Sequence, residues 1–231
     1  METQKRIWEI DFLRGVAFIC MVYDHVVYDL NYIFGIKTPQ IDFIGDFSAI
    51  LFMLLCGVST TLSKNSLKRG AIVFGAALLL SAITLTVDLL LNTRLIIVFG
   101  ILHMLGIAMM LAYFIKKLPN AVIAIISAAI FALSFVFRNI RNAGNIFFAF
   151  GIHDHSFYSS DYYPLIPYLA VVFIGIIIGK IVYAKKKSIF PFSIGNNPVS
   201  FIGKHSLIIY LIHQPVVISI LFLILKISGQ I

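Results

Sequence analysis

Charge is scarce in this chain. Only 12% of its 231 residues are Asp, Glu, Lys or Arg, while 60% belong to the set AVILMFWYC. An average soluble domain is about 25% charged and about 45–50% apolar. The imbalance excludes a disordered chain and argues against a water-soluble globule. Cysteine is nearly absent. Cys20 and Cys56 both lie in apolar runs, whereas a disulfide framework needs several cysteines, usually in polar loops; the two read as packing residues. Acidic residues number 10 against 18 basic ones, a net charge of +8. In so apolar a chain that excess reports membrane topology, and no nucleic-acid partner is expected. No internal repeat, low-complexity segment or dividing linker is visible, so residues 1–231 are expected to form a single transmembrane domain. No small-residue cleavage site follows the charged stretch Met1 to Glu9, and the first apolar run is expected to be retained.

What is present is apolar sequence in lengths that suit a bilayer, at about 20 residues per helical span. Seven runs stand out, at roughly 10–33, 42–62, 70–91, 95–115, 119–138, 163–183 and 199–225. Their connections carry turn residues, as in Gly35-Ile36-Lys37-Thr38-Pro39, Ser63-Lys64-Asn65, Asn92-Thr93-Arg94, Lys116-Lys117-Leu118-Pro119 and Gly195-Asn196-Asn197-Pro198. The expected fold class is all-α, a polytopic membrane bundle of about seven helices. Twelve basic residues (Lys5, Arg6, Lys64, Lys68, Arg69, Lys116, Lys117, Lys180, Lys185, Lys186, Lys187 and Lys204) fall at alternate ends of these runs. Five (Lys37, Arg94, Arg138, Arg141 and Lys226) fall at the other ends, with Arg14 inside the first run. Positive residues stay cytoplasmic, which predicts a cytoplasmic N-terminus and an extracytoplasmic C-terminus.

An ionisable group inside hydrocarbon costs about 2.5–3.5 kcal/mol on insertion scales and is a functional candidate by default. The first run holds Asp11, Arg14, Asp24, His25 and Asp29. With Arg14 as zero and about 100° per residue, His25 falls near 20° and Asp11 and Asp29 near 60°, while Asp24 lies about 80° to the other side. Asp11 and Arg14 have the spacing of an i,i+3 ion pair. Asp29 one turn beyond His25 has the spacing that orients an imidazole and raises its basicity. The last run carries Ser206, Tyr210, His213 and Gln214, then Pro215, where a kink is expected. His213 lies about 21 Å along its span and His25 about 22 Å along its own, so the two histidines reach similar depth.

Other polar groups have ordinary readings beside functional ones. His103 suits a packed, hydrogen-bonded histidine as well as a site residue. Asp42 and Asp46 share a face near a helix N-terminus, where carboxylates are favourable in any case. His153-Asp154-His155 reads as part of an interfacial aromatic belt with Phe157, Tyr158, Tyr162 and Tyr163 rather than as a metal site, and no metal is expected. Gly57, Ser59 and Thr60 suit close helix packing.

Three blocks resemble a known family. Ile10-Asp11-Phe12-Leu13-Arg14-Gly15, running on through Met21-Val22-Tyr23-Asp24-His25 to Asp29-Leu30, is similar to the opening of the heparan-alpha-glucosaminide N-acetyltransferase catalytic-domain-like family. So are Phe99-Gly100-Ile101-Leu102-His103 and Phe201-Ile202-Gly203-Lys204-His205-Ser206-Leu207 with Tyr210-Leu211-Ile212-His213-Gln214-Pro215. The first block is also similar to broader membrane acyltransferases that begin with an Asp-x-x-Arg-Gly-like helix. The resemblance implies transfer of an acetyl group from cytosolic acetyl-CoA to an acceptor across the membrane, through an intramembrane histidine. In the family's lysosomal member that histidine follows the first helix, ahead of a segment similar to Asp46-Phe47. This chain has no histidine between Asp29 and Asp46. Either His25 takes the role, or this member works differently or not at all.

On this reading His25, with Asp29 or Asp24, activates an acceptor amine or hydroxyl or itself takes the acetyl group. His213, Tyr210 or Gln214 donates to the developing oxyanion. Arg14, Asp11, Asp46, His103 and Lys204 are candidates for substrate and donor binding. The run Lys185-Lys186-Lys187, with Lys64, Lys68, Arg69 and Lys204, would attract the phosphates of acyl-CoA, although topology alone accounts for such charges. The expected partners are the lipid bilayer, acyl-CoA and a glycan-like acceptor such as an amino sugar, with a homodimer through small-residue faces. The expected location is a bacterial plasma membrane. Two competing readings are a proton-coupled transporter, since Asp and His chains also form proton relays, and an inactive assembly subunit. No inverted repeat supports the transporter.

Overall fold

A computed structural model describes residues 6–140, 144–194 and 197–230. Lys5 and Arg141 of the charge count, Gly195-Asn196 of the last connection and the side chain of Asp42 lie outside the described residues. The described chain is helical: α1 Trp8–Tyr32, α2 Asp42–Leu62, α3 Ser66–Leu91, α4 Ile101–Ile115, α5 Asn120–Phe137, a 3-10 turn at Phe148–Phe150, α6 Leu165–Val182, α7 Pro198–Lys204 and α8 Ser206–Ile227. Five helices, α2, α3, α5, α6 and α8, are long and apolar enough to cross a membrane. α4 is apolar but has 15 residues. α1 has the length, 25 residues, but carries Glu9, Asp11, Arg14, Asp24 and Asp29.

Two expected runs differ from the observed helices. The run expected at 199–225 is divided at His205 (φ −108°, ψ 20°), whose N–H reaches both Phe201 and Ile202 carbonyls and tightens the last turn of α7. α8 is continuous across Pro215, the expected kink. Proline leaves the Leu211 carbonyl without its helical donor, and transmembrane helices tolerate this without a break. The run expected at 95–115 becomes helical only at Ile101. Its first residues are extended because side chains take their backbone groups: Asp88 accepts from Leu95 N–H (2.9 Å), Thr84 Oγ1 from Ile97 N–H (3.1 Å) and Ser159 Oγ from Val98 N–H (3.0 Å).

Contacts gather into two compact units, one built from the chain up to Phe52 and from Lys187 onward, the other from Met53–Lys186. In the second unit, small residues bring backbones together. A Cβ on Gly57 would collide with the Val172 carbonyl of α6, and one on Gly175 with the Leu54 carbonyl of α2. Thr60 and Ser59 turn their hydroxyls onto carbonyls of their own helix, Thr60 onto Gly57 at 2.7 Å. In the long connection, His153 packs between Phe157 (4.8 Å between ring centroids) and Tyr162 (5.2 Å). Among the described residues no group of three or more His, Cys, Asp or Glu is placed to hold a metal.

α3, α5 and α8 bury only 11% of their most apolar stretch, against 44% in α2 and α6. Ile72, Leu79, Ile83 and Leu89 of α3 and Ile125, Phe131 and Phe135 of α5 are exposed. A patch of that kind would be an aggregation surface in water; acyl chains cover it without cost. The chain is an integral membrane protein.

In the first unit, α7 and α8 pack on α1. α7 meets α1 at backbone distance: a Cβ on Gly15 would collide with the Val199 carbonyl, and one on Gly203 with the Asp11 carbonyl. Ser48 of α2 donates to the Ala17 carbonyl at 2.8 Å. At the start of α1, Trp8 Nε1 donates to the Phe192 carbonyl (3.0 Å) and Glu9 accepts from Ile189 N–H (2.9 Å).

Candidate active site

The first unit brings most of the candidate residues together on α1, α2, α7 and α8. Asp11 accepts from Arg14 at 2.9 Å, with Arg6 at 3.7 Å on its other oxygen. Their side chains are 14% and 17% exposed, so the i,i+3 pair is largely withdrawn from water. The glycine contacts of α7 lie on this same turn, and Lys204, exposed, ends α7 beside it. The pair therefore stands where α1 and α7 approach most closely.

Farther along α1, Asp29 is fully buried. Its partner is Gln214 of α8, whose Nε2 lies 3.0 Å from each carboxylate oxygen. The expected Asp29–His25 pair is thus replaced. Spacing on one helix makes the two groups neighbours, but a carboxylate in the interior pairs with the donor that packing delivers, and α8 delivers an amide. The His25 ring faces His213 instead, with 5.1 Å between centroids and planes inclined by 33°. Phe18 meets His213 edge-on at 5.7 Å, and Tyr210 lies 5.1 Å away on the preceding turn. The equal depths read from the sequence are realised as ring contact.

Hydrogen bonding assigns the tautomer of His213. Its Nδ1 faces the Tyr210 carbonyl, which only accepts, so in the neutral ring Nδ1 carries the hydrogen and Nε2 a lone pair. That Nε2 is buried without a hydrogen-bond partner among the described residues, and so is Gln214 Oε1. A buried polar atom left unmet costs about 1–3 kcal/mol. Two on successive residues mark a place built for something other than packing. No hydrogen bond to His25 is found among the described residues, so its tautomer is not set in this way.

The remaining candidates have other surroundings. The Asp24 carboxylate lies against α2, about where a Cβ on Gly45 would be (2.8 Å), and the next residue, Asp46, is exposed. His103 belongs to the second unit and caps α4. Its Nδ1 accepts from Gly100 N–H at 3.2 Å, and its Nε2 lies 3.3 Å from Ser81 Oγ, which donates to the Ile97 carbonyl at 2.6 Å. Each nitrogen has a partner, and the arrangement holds the start of α4. Lys116, read from the sequence only as a topology charge, donates to the Thr60 and Ser63 carbonyls at 3.0 Å each and so caps α2. Burial, then the like charges of Lys186 and Lys117, pull its pKa below the ordinary lysine value.

The sequence pattern of one family, described as heparan-alpha-glucosaminide N-acetyltransferase, catalytic, matches residues 6–215. The chain belongs to this family. The match crosses both units and ends at Pro215, one residue beyond Gln214, so every candidate named above lies inside it. Membership of the heparan-alpha-glucosaminide N-acetyltransferase catalytic family makes this a membrane acyltransferase by kinship. No curated protein and no solved structure matches the chain.

Proposed function

We propose that this protein transfers an acetyl or short acyl group from cytosolic acyl-CoA to an acceptor on the other side of the membrane, an amino sugar or related glycan. Seven spans carry it, with the N-terminus cytoplasmic and the C-terminus outside, as one catalytic domain in a bacterial plasma membrane. The observation that carries this reading is the cluster of buried Asp29 and His213 with half-buried His25 and Gln214, which leaves unmet polar atoms on His213 and Gln214. Packing alone gives no reason to place two histidines and a carboxylate in hydrocarbon, whereas acyl transfer needs a base and hydrogen-bond acceptors at the attacking nucleophile. Arg14, Asp11 and Lys204 lie toward the proposed cytoplasmic end, where the CoA arm would enter. Asp24, Asp46 and Tyr210 are left to acceptor and donor binding, whereas His103, with both nitrogens engaged at the start of α4, has a structural role. The basic residues Lys64, Lys68, Arg69 and Lys185-Lys186-Lys187 would draw the CoA phosphates, and the mutual repulsion around Lys116 is relieved by an anion. A homodimer through small-residue faces fits this class of fold.

The test is thiol release from acetyl-CoA by the purified protein, with and without glucosamine. Release that glucosamine accelerates and that the double variant His25→Ala/His213→Ala lacks is the expected result. Proton-driven solute uptake in liposomes, indifferent to CoA, would replace this reading with the transporter.

A further inference from the structure

Gln214 is held in one orientation. Its Nε2 lies 3.0 Å from both oxygens of a fully buried Asp29, so turning the amide over would set its oxygen against a carboxylate. Oε1 is therefore committed as an acceptor, and it is buried with no donor to meet it. On the preceding residue, the Tyr210 carbonyl ties up Nδ1–H of His213 and leaves Nε2 as a second committed acceptor, also buried and unmet. α8 thus offers two lone pairs on successive residues, each fixed by its own partner and neither able to donate.

We propose that the acceptor molecule meets both of these atoms: its nucleophile gives its proton to His213 Nε2, while a second hydrogen of the same molecule is held by Gln214 Oε1. Asp29 is then a positioning residue that acts through Gln214. The assignment rests on the acyl-transfer reading and exchanges the roles that sequence pattern alone suggests, in which His25 is the base and His213 or Gln214 a donor to the oxyanion. In the step itself the acceptor nitrogen or oxygen forms a bond to the thioester carbonyl carbon as its proton passes to Nε2. The carbon–sulfur bond then breaks, and the departing CoA thiolate takes the proton from the imidazolium, leaving CoA–SH, acylated acceptor and neutral His213. Atoms and protons balance without a co-reactant. His25, its ring 5.1 Å from that of His213 and tilted by 33°, packs against one side of it.

The experiment measures thiol release from acetyl-CoA with glucosamine and with hydroxylamine as acceptor probes, using the full-length protein in nanodiscs. His213→Ala is expected to lower kcat by about 10²–10⁴-fold, the usual share of a general base, with the KM for acetyl-CoA little changed and turnover partly restored by added imidazole. His213→Gln keeps a donor for the Tyr210 carbonyl but has no basic lone pair; it gives the same loss and serves if the alanine variant does not fold. Asp29→Asn and Gln214→Glu each lower kcat/KM for the acceptor by roughly 10–100-fold, the range of one lost buried hydrogen bond. Combined, they rebuild an amide–carboxylate pair with a free acceptor oxygen and recover most of the activity, which a loss of packing would not do. Wild-type kcat in either His213 variant overturns the assignment, as does a folded double variant no better than the singles. No thiol release from the wild type with either probe overturns the acyl-transfer reading and the assignment with it.

Discussion

At the scale of single residues, the histidines of this protein divide by whether both ring nitrogens find partners. His103 illustrates the structural kind. Gly100 N–H, Nδ1, Nε2, Ser81 Oγ and the Ile97 carbonyl form one chain, in which the tautomer with hydrogen on Nε2 lets each link donate onward. Both ends satisfy backbone groups at the start of α4 that have no helical partner. His103→Ala and Ser81→Ala are expected to lower thermal stability by about 1–2 kcal/mol each. The double variant should lose less than the sum, because the two residues share one network; strictly additive losses in a detergent melting series would contradict the chain. His213 illustrates the other kind, with one nitrogen satisfied and one left open. Both clusters are built around a histidine. What separates a structural histidine from a candidate catalytic one is how many of its polar atoms find partners.

At the scale of elements, glycine contacts decide which helices are neighbours. Gly15 and Gly203 allow α7 to lie on α1 at backbone distance, and this contact brings the end of α7 to the Asp11–Arg14 turn. Each facing atom is a backbone carbonyl that cannot rotate aside, so Gly203→Ala must push the helices apart. Overpacking of this kind costs about 1–3 kcal/mol, and we expect a lowered melting temperature and reduced thiol release together. Gly75→Ala is the control, since nothing lies within 4 Å of that position; there a methyl group should be neutral or slightly stabilising. Equal melting temperatures for the two variants would show that the α1–α7 contact is looser than described.

At the scale of the whole molecule, the arrangement in the bilayer rests on composition and charge. α3, α5 and α8 keep large apolar faces exposed, as lipid contact requires. The proposed seven-span topology predicts that reporters on the two termini fall on opposite sides. A green fluorescent protein at the N-terminus should fluoresce, and an alkaline phosphatase at the C-terminus should be active. A C-terminal phosphatase that is silent while the fusion is expressed would require an even number of spans and move the His25–His213 pair relative to the cytoplasm.

Helix positions were legible because they depend on local composition: runs of apolar residues, with connections holding Asn65, Asn92 and Pro119, recur in the structure as α2, α3, α5 and α6 within a few residues. The Asp11–Arg14 pair was legible too, since three residues on one helix bring two side chains together whatever surrounds them. The break at His205 and the extended segment before Ile101 were not, because hydrogen bonds from Asp88, Thr84 and Ser159 compete there with helical ones of similar strength, and hydropathy does not register that contest. The partner of Asp29 lay furthest out of reach. Spacing offers His25, one turn away, and the fold supplies Gln214, 185 residues along the chain. A buried carboxylate takes the donor that packing brings to it, and packing is a property of the assembled helices.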